Sequence, residues 1–519
     1  PRSTTARAHP PPLRRAMAQC CGGRCEDEAL PTASLDDVAK QVREEFAQQA
    51  GGAPQASDAP APPTPAQTKK TISQQTFDDV VAENVDEFDM ELEEAMRDAV
   101  EQFTSQGVDL SLLVTSVAAR EADAKVKSLV AKVDQALADH PAAADDLPAH
   151  LRALAAACST DDQERIAAGR HGAVGAAAFV CKKHGDSQDT VLAAFGLLAE
   201  LLKAFHNREI LPFQGAQAML EALARFEDDA DLQAAGFAAL ALAITKHEAN
   251  KRNLKDLDVN GRLLAALHRH TGHPEALMAA SKFLRIYLSD DDRRPGVQPG
   301  TFSRAREIGE DFQNGALRPL FALLDSPDTL ANVKMVTSTL ATLKAVAVND
   351  HICKHVAAKG GLDTALLAFE AHITDEKVAA NACMLLKAVS RNDDIKRIVG
   401  KGKGLGLLLR ALDEHIASSR VAEQALQCLS VLCLRQPENC ETIASLGCLQ
   451  LIISTMTRHA EEAQVQRPAI STLRNMVSSW RNKELCAQIL DHGAEPLIRQ
   501  ARAAHPVCEE VAYAALRDL

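Results

Sequence analysis

Short apolar helical patterns recur in groups of three from about residue 149 to the end of the chain. Each group opens at a Gly before an apolar helix start. It then passes a polar break into a longer amphipathic run such as VKMVTSTLATLKAVAVND. Apolar residues spaced three and four apart mark one buried face of a helix. The pattern therefore predicts three helices in each repeating unit.

The turns give the length of the repeat. Between Gly172 and Gly215 the interval is 43 residues, and from Gly315 onward it is 46, 43, 43 and 46, through Gly361, Gly404, Gly447 and Gly493. A turn at Asp258 or Gly261 belongs in the wide gap. Three helices in this period are typical of armadillo repeats. Such units must stack, since none can bury its apolar faces alone. The sequence predicts an all-α, right-handed superhelical solenoid of about eight armadillo repeats.

An acidic stretch ahead of the repeats carries an apolar stripe of its own. Its members recur at gaps of three or four: Phe77, Val81, Val85, Phe88, Leu92, Met96, Ala99 and Phe103. This spacing predicts an amphipathic helix, either continuous or broken at Asp89. Thr71 with Gln74 resembles a capping box at its start, and Gly107 is a natural stop.

Three segments are therefore predicted. Residues 1–68 are rich in Pro, Ala, Gly and Gln and are expected to be a disordered tail. Residues 69–148 form the acidic amphipathic helical segment, and residues 149–519 hold the repeats. Cys20, Cys21 and Cys25 in the tail are expected to be free thiols.

The charge is concentrated near the start. The net charge is −13, and residues 72–101 contain eleven acidic residues and one Arg. The repeats are close to neutral, so they lack the basic field that nucleic-acid binding needs. No long apolar run predicts a membrane-spanning helix. The scattered cysteines favour a reducing compartment. We expect a cytoplasmic protein, with the nucleus as a second location.

Two short motifs resemble parts of known sites, and neither is complete. The glycines of GKGKGLG, Gly400 to Gly406, lack the spacing of a phosphate-binding loop. His268, His270 and His273 lack further ligands at zinc-site spacing, so we expect exposed histidines at a helix end. No set of acid, base and nucleophile is recognisable. The sequence predicts neither an enzyme nor a cofactor.

Three segments carry a family resemblance: ISQQTFDDVVAENVDEFDMELEEAMRDAVEQFTSQGVDLS before the repeats, SDDDRRP within them, and ILDHGAEPLIRQARAAHPVCEEVAYAALRDL at the end. Together they resemble the armadillo repeat-containing protein 6 family. The resemblance implies an interaction scaffold and brings no catalytic residue or ligand site. The insertion SDDDRRPGVQPG, residues 289–300, is expected to protrude, either as a partner contact or as a passive loop.

The third helix of each unit is expected to line a concave groove. Peptide-binding arrays place an Asn there, and only Asn475 occupies that position; the aligned residues are Ile244, Ile286, Ala345, Ala388 and Val431. An Asn ladder holds an extended peptide by its backbone. Its absence, and that of any Trp besides Trp480, argue against a nuclear transport adaptor.

A line of cations stands one residue before the Asn position. It consists of Arg285, Lys344, Lys387 and Arg474, with Ser430 in the remaining unit. Two interpretations stay open. The line either steers an acidic partner segment into the groove, or its aliphatic stems cover the groove floor while the charges are solvated.

These observations favour a non-enzymatic scaffold or adaptor that binds an extended or helical segment of a protein partner in its groove. A chaperone cofactor of the armadillo type is the alternative. The acidic residues 71–106 are themselves a candidate for intramolecular docking, either as a cap on the array or in the groove. Neither nucleic acid nor membrane is an expected partner.

Overall fold

The computed structural model describes residues 70–88, 90–138, 146–183, 186–478 and 483–519. The chain divides into two compact units, Pro1–Thr68 and Lys69–Leu519. The predicted tail, its cysteines, Asp89 and Trp480 lie outside the described residues. The predicted boundary at residue 148 stays a prediction.

Four helices precede the repeats: α1 (Gln74–Phe88), α2 (Leu92–Ser105), α3 (Val117–Ala138) and α4 (Leu147–Ala157). Eight repeat units follow in the described residues. Each has three helices, and unit 4 contains one additional short helix. Units 1 to 4 are α5–α7 (Asp162–Arg170, Ala173–Lys183, Gln188–Leu201), α8–α10 (Phe205–Glu209, Phe213–Arg225, Ala230–Ile244), α11–α13 (Glu248–Asp256, Val259–Arg269, Pro274–Tyr287) and α14–α17 (Thr301–Gly309, Leu317–Asp325, the short Pro327–Leu330, Val333–Val346).

Units 5 to 8 are α18–α20 (Asp350–Ala358, Gly361–Ala371, Glu376–Val389), α21–α23 (Asp393–Lys401, Gly404–Glu414, Ser419–Cys433), α24–α26 (Pro437–Ser445, Cys448–Arg458, Ala463–Ser478) and α27–α29 (Lys483–Asp491, Ala494–Ala504, Glu509–Asp518). The third helices stack on one another from unit to unit, as do the second helices. The all-α armadillo solenoid that the sequence predicts is confirmed.

One continuous apolar core joins α3 to α29. Small residues let the helices approach closely, and several of these small core residues are cysteines with free thiols. Burial raises the pKa of these thiols to about 12 at Cys158, Cys181, Cys383 and Cys448. They are therefore protonated at neutral pH and pack as small apolar groups.

The turn between the first and second helices adopts the left-handed conformation at several of the expected positions. Gly447 has a φ of 78°, and in unit 3 the same role falls to Asp258, with a φ of 56°. Gly215 lies inside α9 instead, where a Cβ would come within 2.9 Å of the Ala178 Cβ. The glycine repeat thus reflects tight turns in some units and close helix packing in others.

A ladder of histidines ties consecutive units together. In each case a ring Nε2 near the end of a second helix contacts a backbone carbonyl at the corresponding end of the previous unit: His270 to Glu227 at 2.8 Å, His372 to Leu330 at 2.5 Å, His415 to Ile373 at 2.7 Å, His459 to Ile416 at 2.8 Å and His505 to Ala460 at 2.7 Å. Because a carbonyl only accepts, Nε2 carries the hydrogen. The expectation that His270 is exposed is wrong, since only 2% of it is exposed.

We expect His270→Ala to lower the free energy of unfolding by about 1–3 kcal/mol, because the Glu227 carbonyl loses the donor that the buried His270 ring provides. Urea denaturation measures the change. His273→Ala, three residues away on an exposed side chain without a cap bond, is the matched control and should stay within about 0.5 kcal/mol of the parent. Equal losses in both variants would contradict the structural role of the ladder.

The acidic segment forms a helical hairpin rather than one continuous helix. Its own small core contains Phe77, Val81, Ala95, Met96, Ala99 and Phe103. The chain reverses between Phe88 and Leu92, which are 63% and 41% exposed, so the stripe does not run unbroken through them. Ser73, not Thr71, caps α1, because its Oγ accepts the Thr76 amide at 3.1 Å.

The hairpin is held beside the first helix of the array core. At its end Gly107, with a φ of 74°, stops α2 as predicted: the Val108 amide bonds the Phe103 carbonyl at 3.0 Å. Asp78 on α1 pairs with Arg120 on α3 at 2.6 Å. It is α3 that packs on α4 and α5 and contributes Val126, Val130 and Val133 to the array core.

No single helix in the described ranges is both long enough and apolar enough to cross a membrane. The consecutive helices α24 and α25 satisfy both criteria only when taken together, and they meet at an angle of 77°.

Candidate partner-binding groove

The third helices of units 3 to 6 border one open cleft of about 680 Å³, called here the basic groove. Its floor is apolar and comes from residues with small or flexible side chains: Ala341, Ala345, Ala347, Val348, Met384 and Ala388. Asn381 adds an amide to the lining, and Phe302 stands at one wall. The groove therefore combines an apolar floor with polar groups at its margin, as binding surfaces commonly do.

Four cations line this groove: Arg285, Lys344, Arg391 and Arg420. Within the part of the chain that the structure describes, none of them makes an ion pair or a side-chain hydrogen bond. The one acidic lining residue, Asp290, lies 3.5 Å from Arg293, which is outside the groove. A surface with four cations and a single carboxylate carries excess positive charge and attracts anionic groups.

Two of the predicted groove residues, Arg285 and Lys344, lie together in the basic groove. Lys387 is a near neighbour with partners of its own, because its Nζ donates to Gln424 at 3.1 Å and to Gln427 at 2.5 Å. Burial lowers the pKa of Lys387, and the nearby charge of Lys344 lowers it further. Lys387 is thus not part of the groove lining, and its amino group is bonded to α23 of the next unit.

The other two predicted residues lie elsewhere. Arg474 contacts Asp518 at 3.1 Å and lines a second cleft, of about 840 Å³, at the last unit. Asn475 donates its amide to the Ser430 carbonyl at 2.9 Å and to the Ser430 hydroxyl at 3.0 Å. Its amide hydrogens therefore serve contact between neighbouring third helices.

Arg391 and Arg420 do not appear in the predicted cation line. Arg391 follows Lys387 by four residues and lies in the turn after α20, which ends at Val389. Arg420 lies in the first turn of α23 and also lines the groove. Both stand near the ends of third helices, so a single position per repeat does not include them.

No group of three or more His, Cys, Asp or Glu side chains that could hold a metal ion occurs among the described residues.

The glycine motif GKGKGLG contributes to helix packing. Gly400 packs so closely on Asn439 that a Cβ would overlap its side-chain oxygen. Asn439 in turn donates to the backbone carbonyls of Lys396 and Leu432.

The family model described as ARMC6 matches residues 126–519, and the model of the armadillo repeat-containing protein 6 N-terminal domain matches residues 69–129. The chain belongs to the armadillo repeat-containing protein 6 family. The hairpin thus falls in the family's N-terminal domain, α3 spans the junction of the two matched regions, and the stacked units fall in the main region.

Named relatives agree with this assignment. Armadillo repeat-containing protein 6 of Homo sapiens is 32% identical over 371 residues, which cover 61% of this chain and 74% of the human protein. The protein of the same name from Pongo abelii is 32% identical over 315 residues. The alignment covers 58% of this chain and 60% of the Pongo abelii protein. The Drosophila melanogaster homologue is 25% identical, with 60% of this chain covering 66% of its length.

Solved structures show the same fold at much lower identity. An engineered protein aligns with a TM-score of 0.50 and 16% identity over 76% of this chain and 98% of its own. A structure from a study of cadherin and β-catenin aligns with a TM-score of 0.51 and 15% identity over 71% of this chain and 67% of its own. This chain thus shares the armadillo architecture, whose stacked repeats form extended concave surfaces.

Proposed function

We propose that the protein is an armadillo scaffold whose basic groove binds an acidic segment of a protein partner. The observation that carries the proposal is the set of four cations, Arg285, Lys344, Arg391 and Arg420, around one apolar floor, with no ion pair to any of them among the described residues. Carboxylates of a bound segment would pair with these cations, and its apolar side chains would cover the alanine-rich floor. Charge complementarity of this kind mainly raises association rates and selects partners.

Two other functions are less well supported. A nuclear transport adaptor would hold a basic peptide by an Asn ladder; the groove is itself basic, and the amide of Asn475 is engaged with Ser430. A chaperone cofactor would use the same fold to bind one folded partner. No feature of the groove favours a folded partner over an acidic segment. The cytoplasmic location, with the nucleus as a second, stays a prediction.

Neutralising the groove tests the proposal. The fourfold variant with Gln at positions 285, 344, 391 and 420 should bind a short peptide of Glu and Asp about tenfold more weakly, because four exposed ion pairs at about 0.2–1 kcal/mol each together contribute roughly 1–4 kcal/mol. Fluorescence anisotropy measures the affinity at low and high salt. The unaltered chain should lose affinity as salt rises, and the variant should lose much less.

A matched control removes four exposed cations of the second helices, which do not line the groove: Arg262, Arg318, Arg410 and Arg458. Their replacement by Gln changes the net charge equally. Peptide binding in that control should stay near the parent value. An equal loss in both variants would mean that overall charge, and not the basic groove, attracts the peptide, and the proposal would fail.

A further inference from the structure

The insertion at residues 289–300 and the first two residues of α14, Thr301 and Phe302, form one wall of the basic groove, called here the wall. Ser289, Asp290, Pro299, Thr301 and Phe302 all line the cleft. That the insertion protrudes stays a prediction. Asp291 and Asp292 near its start bond to unit 3, and Asp290 beside them lines the groove, so the insertion contributes to the groove surface.

Two carboxylates attach the start of the wall to α11. Asp291 contacts the fully buried Lys251 at 2.5 Å and accepts the Lys246 amide at 2.9 Å. Asp292 accepts the Glu248 amide at 2.8 Å, and its bonds to Arg294 hold the pKa of that carboxyl well below its usual range. These contacts satisfy the first amides of α11, as a helix cap does.

Glu248 holds the other end of the wall. Its carboxylate accepts the Gly300 amide at 3.1 Å and pairs with the buried Arg304 at 2.6 Å. The wall is therefore fixed at both ends by buried charged groups. A side chain placed on it has a defined position relative to the groove cations, which is what a specific binding surface requires.

Phe302 is the side chain that this wall presents. It is 59% exposed and borders the apolar floor that carries Ala345 and Met384. We infer that the groove recognises an acidic partner segment with one large apolar residue, whose side chain packs between Phe302 and that floor. Phe302 then selects among acidic segments, while the cations attract all of them. The inference rests on the proposed function and names the class of its partner.

Two matched peptides test the inference on the full chain: a short peptide of Glu and Asp with one central Phe, and the same peptide with Ala at that position. Phe302→Ala should bind the Phe peptide about tenfold more weakly, since it removes much of an aromatic contact. Binding of the Ala peptide should be unchanged. Phe179→Ala, a 48% exposed Phe on the second helix of unit 1, is the control and should affect neither peptide.

Each other outcome overturns the inference. If Phe302→Ala weakens both peptides equally, or neither, Phe302 does not select an apolar residue. The proposed function survives in that case if the fourfold Gln variant still loses both peptides. Light scattering on the same samples measures the oligomeric state and so shows whether a second copy of the chain occupies the groove. A dimer that Phe302→Ala converts to a monomer would make this wall a self-association surface and remove the inference.

Discussion

Glu248→Ala is expected to lower the free energy of unfolding by about 3–5 kcal/mol, the cost of leaving one member of a buried ion pair without its partner. Only 2% of Glu248 and 1% of Arg304 are exposed, and their charged groups lie 2.6 Å apart. Arg304 keeps one bond, from Nε to the Tyr287 carbonyl at 2.9 Å, and its guanidinium lies 5.0 Å from the Tyr287 ring. Neither contact replaces the carboxylate.

Urea denaturation gives the overall loss, and hydrogen exchange locates it. Because units in a solenoid contact only their neighbours, faster exchange should appear first in α11 and α14. The matched control is Glu495→Ala, which breaks a pair with Arg499 that is 47% and 62% exposed and should change stability by less than about 0.5 kcal/mol. A loss below about 1 kcal/mol for Glu248→Ala would show that the buried pair does not hold the wall.

Reversing the groove charges should reverse its preference. A variant with Glu at positions 285, 344, 391 and 420 places four carboxylates where the parent has four cations. Like charges facing each other across an interface cost several kcal/mol, so binding of the acidic peptide should weaken at least about a hundredfold. A basic peptide should gain affinity at the same time. Arg285, Arg391 and Arg420 are exposed and unpaired among the described residues, so the fold should tolerate the change.

The repeat and its period could be predicted from the sequence because both are local. Helix periodicity and the turn positions recur within each stretch of 43 to 46 residues. The ties between units are not local. His415 meets Ile373 across 42 residues, and Glu248 meets Arg304 across 56. A single sequence shows that these residues exist, but only the stacked helices show which of them meet.

The groove was predicted in part for the same reason. A spacing of one cation per repeat includes Arg285 and Lys344, which both line the basic groove, while their role in partner binding stays a prediction. The same spacing cannot show that Gln424 and Gln427 engage Lys387, or that Asp518 neutralises Arg474, since these partners come from the next unit. In the hairpin, the stripe predicts the buried Phe77 and Phe103, but the reversal of the chain leaves Phe88 exposed.

The basic groove is proposed to select an acidic segment by charge. Four affinities, measured side by side at one low salt concentration, test this selection: those of the parent chain and of the fourfold Glu variant, each with an acidic and a basic peptide of equal length. We predict that the parent prefers the acidic peptide and the variant the basic one. The same preference in both chains, with circular dichroism showing both folded, would contradict the claim.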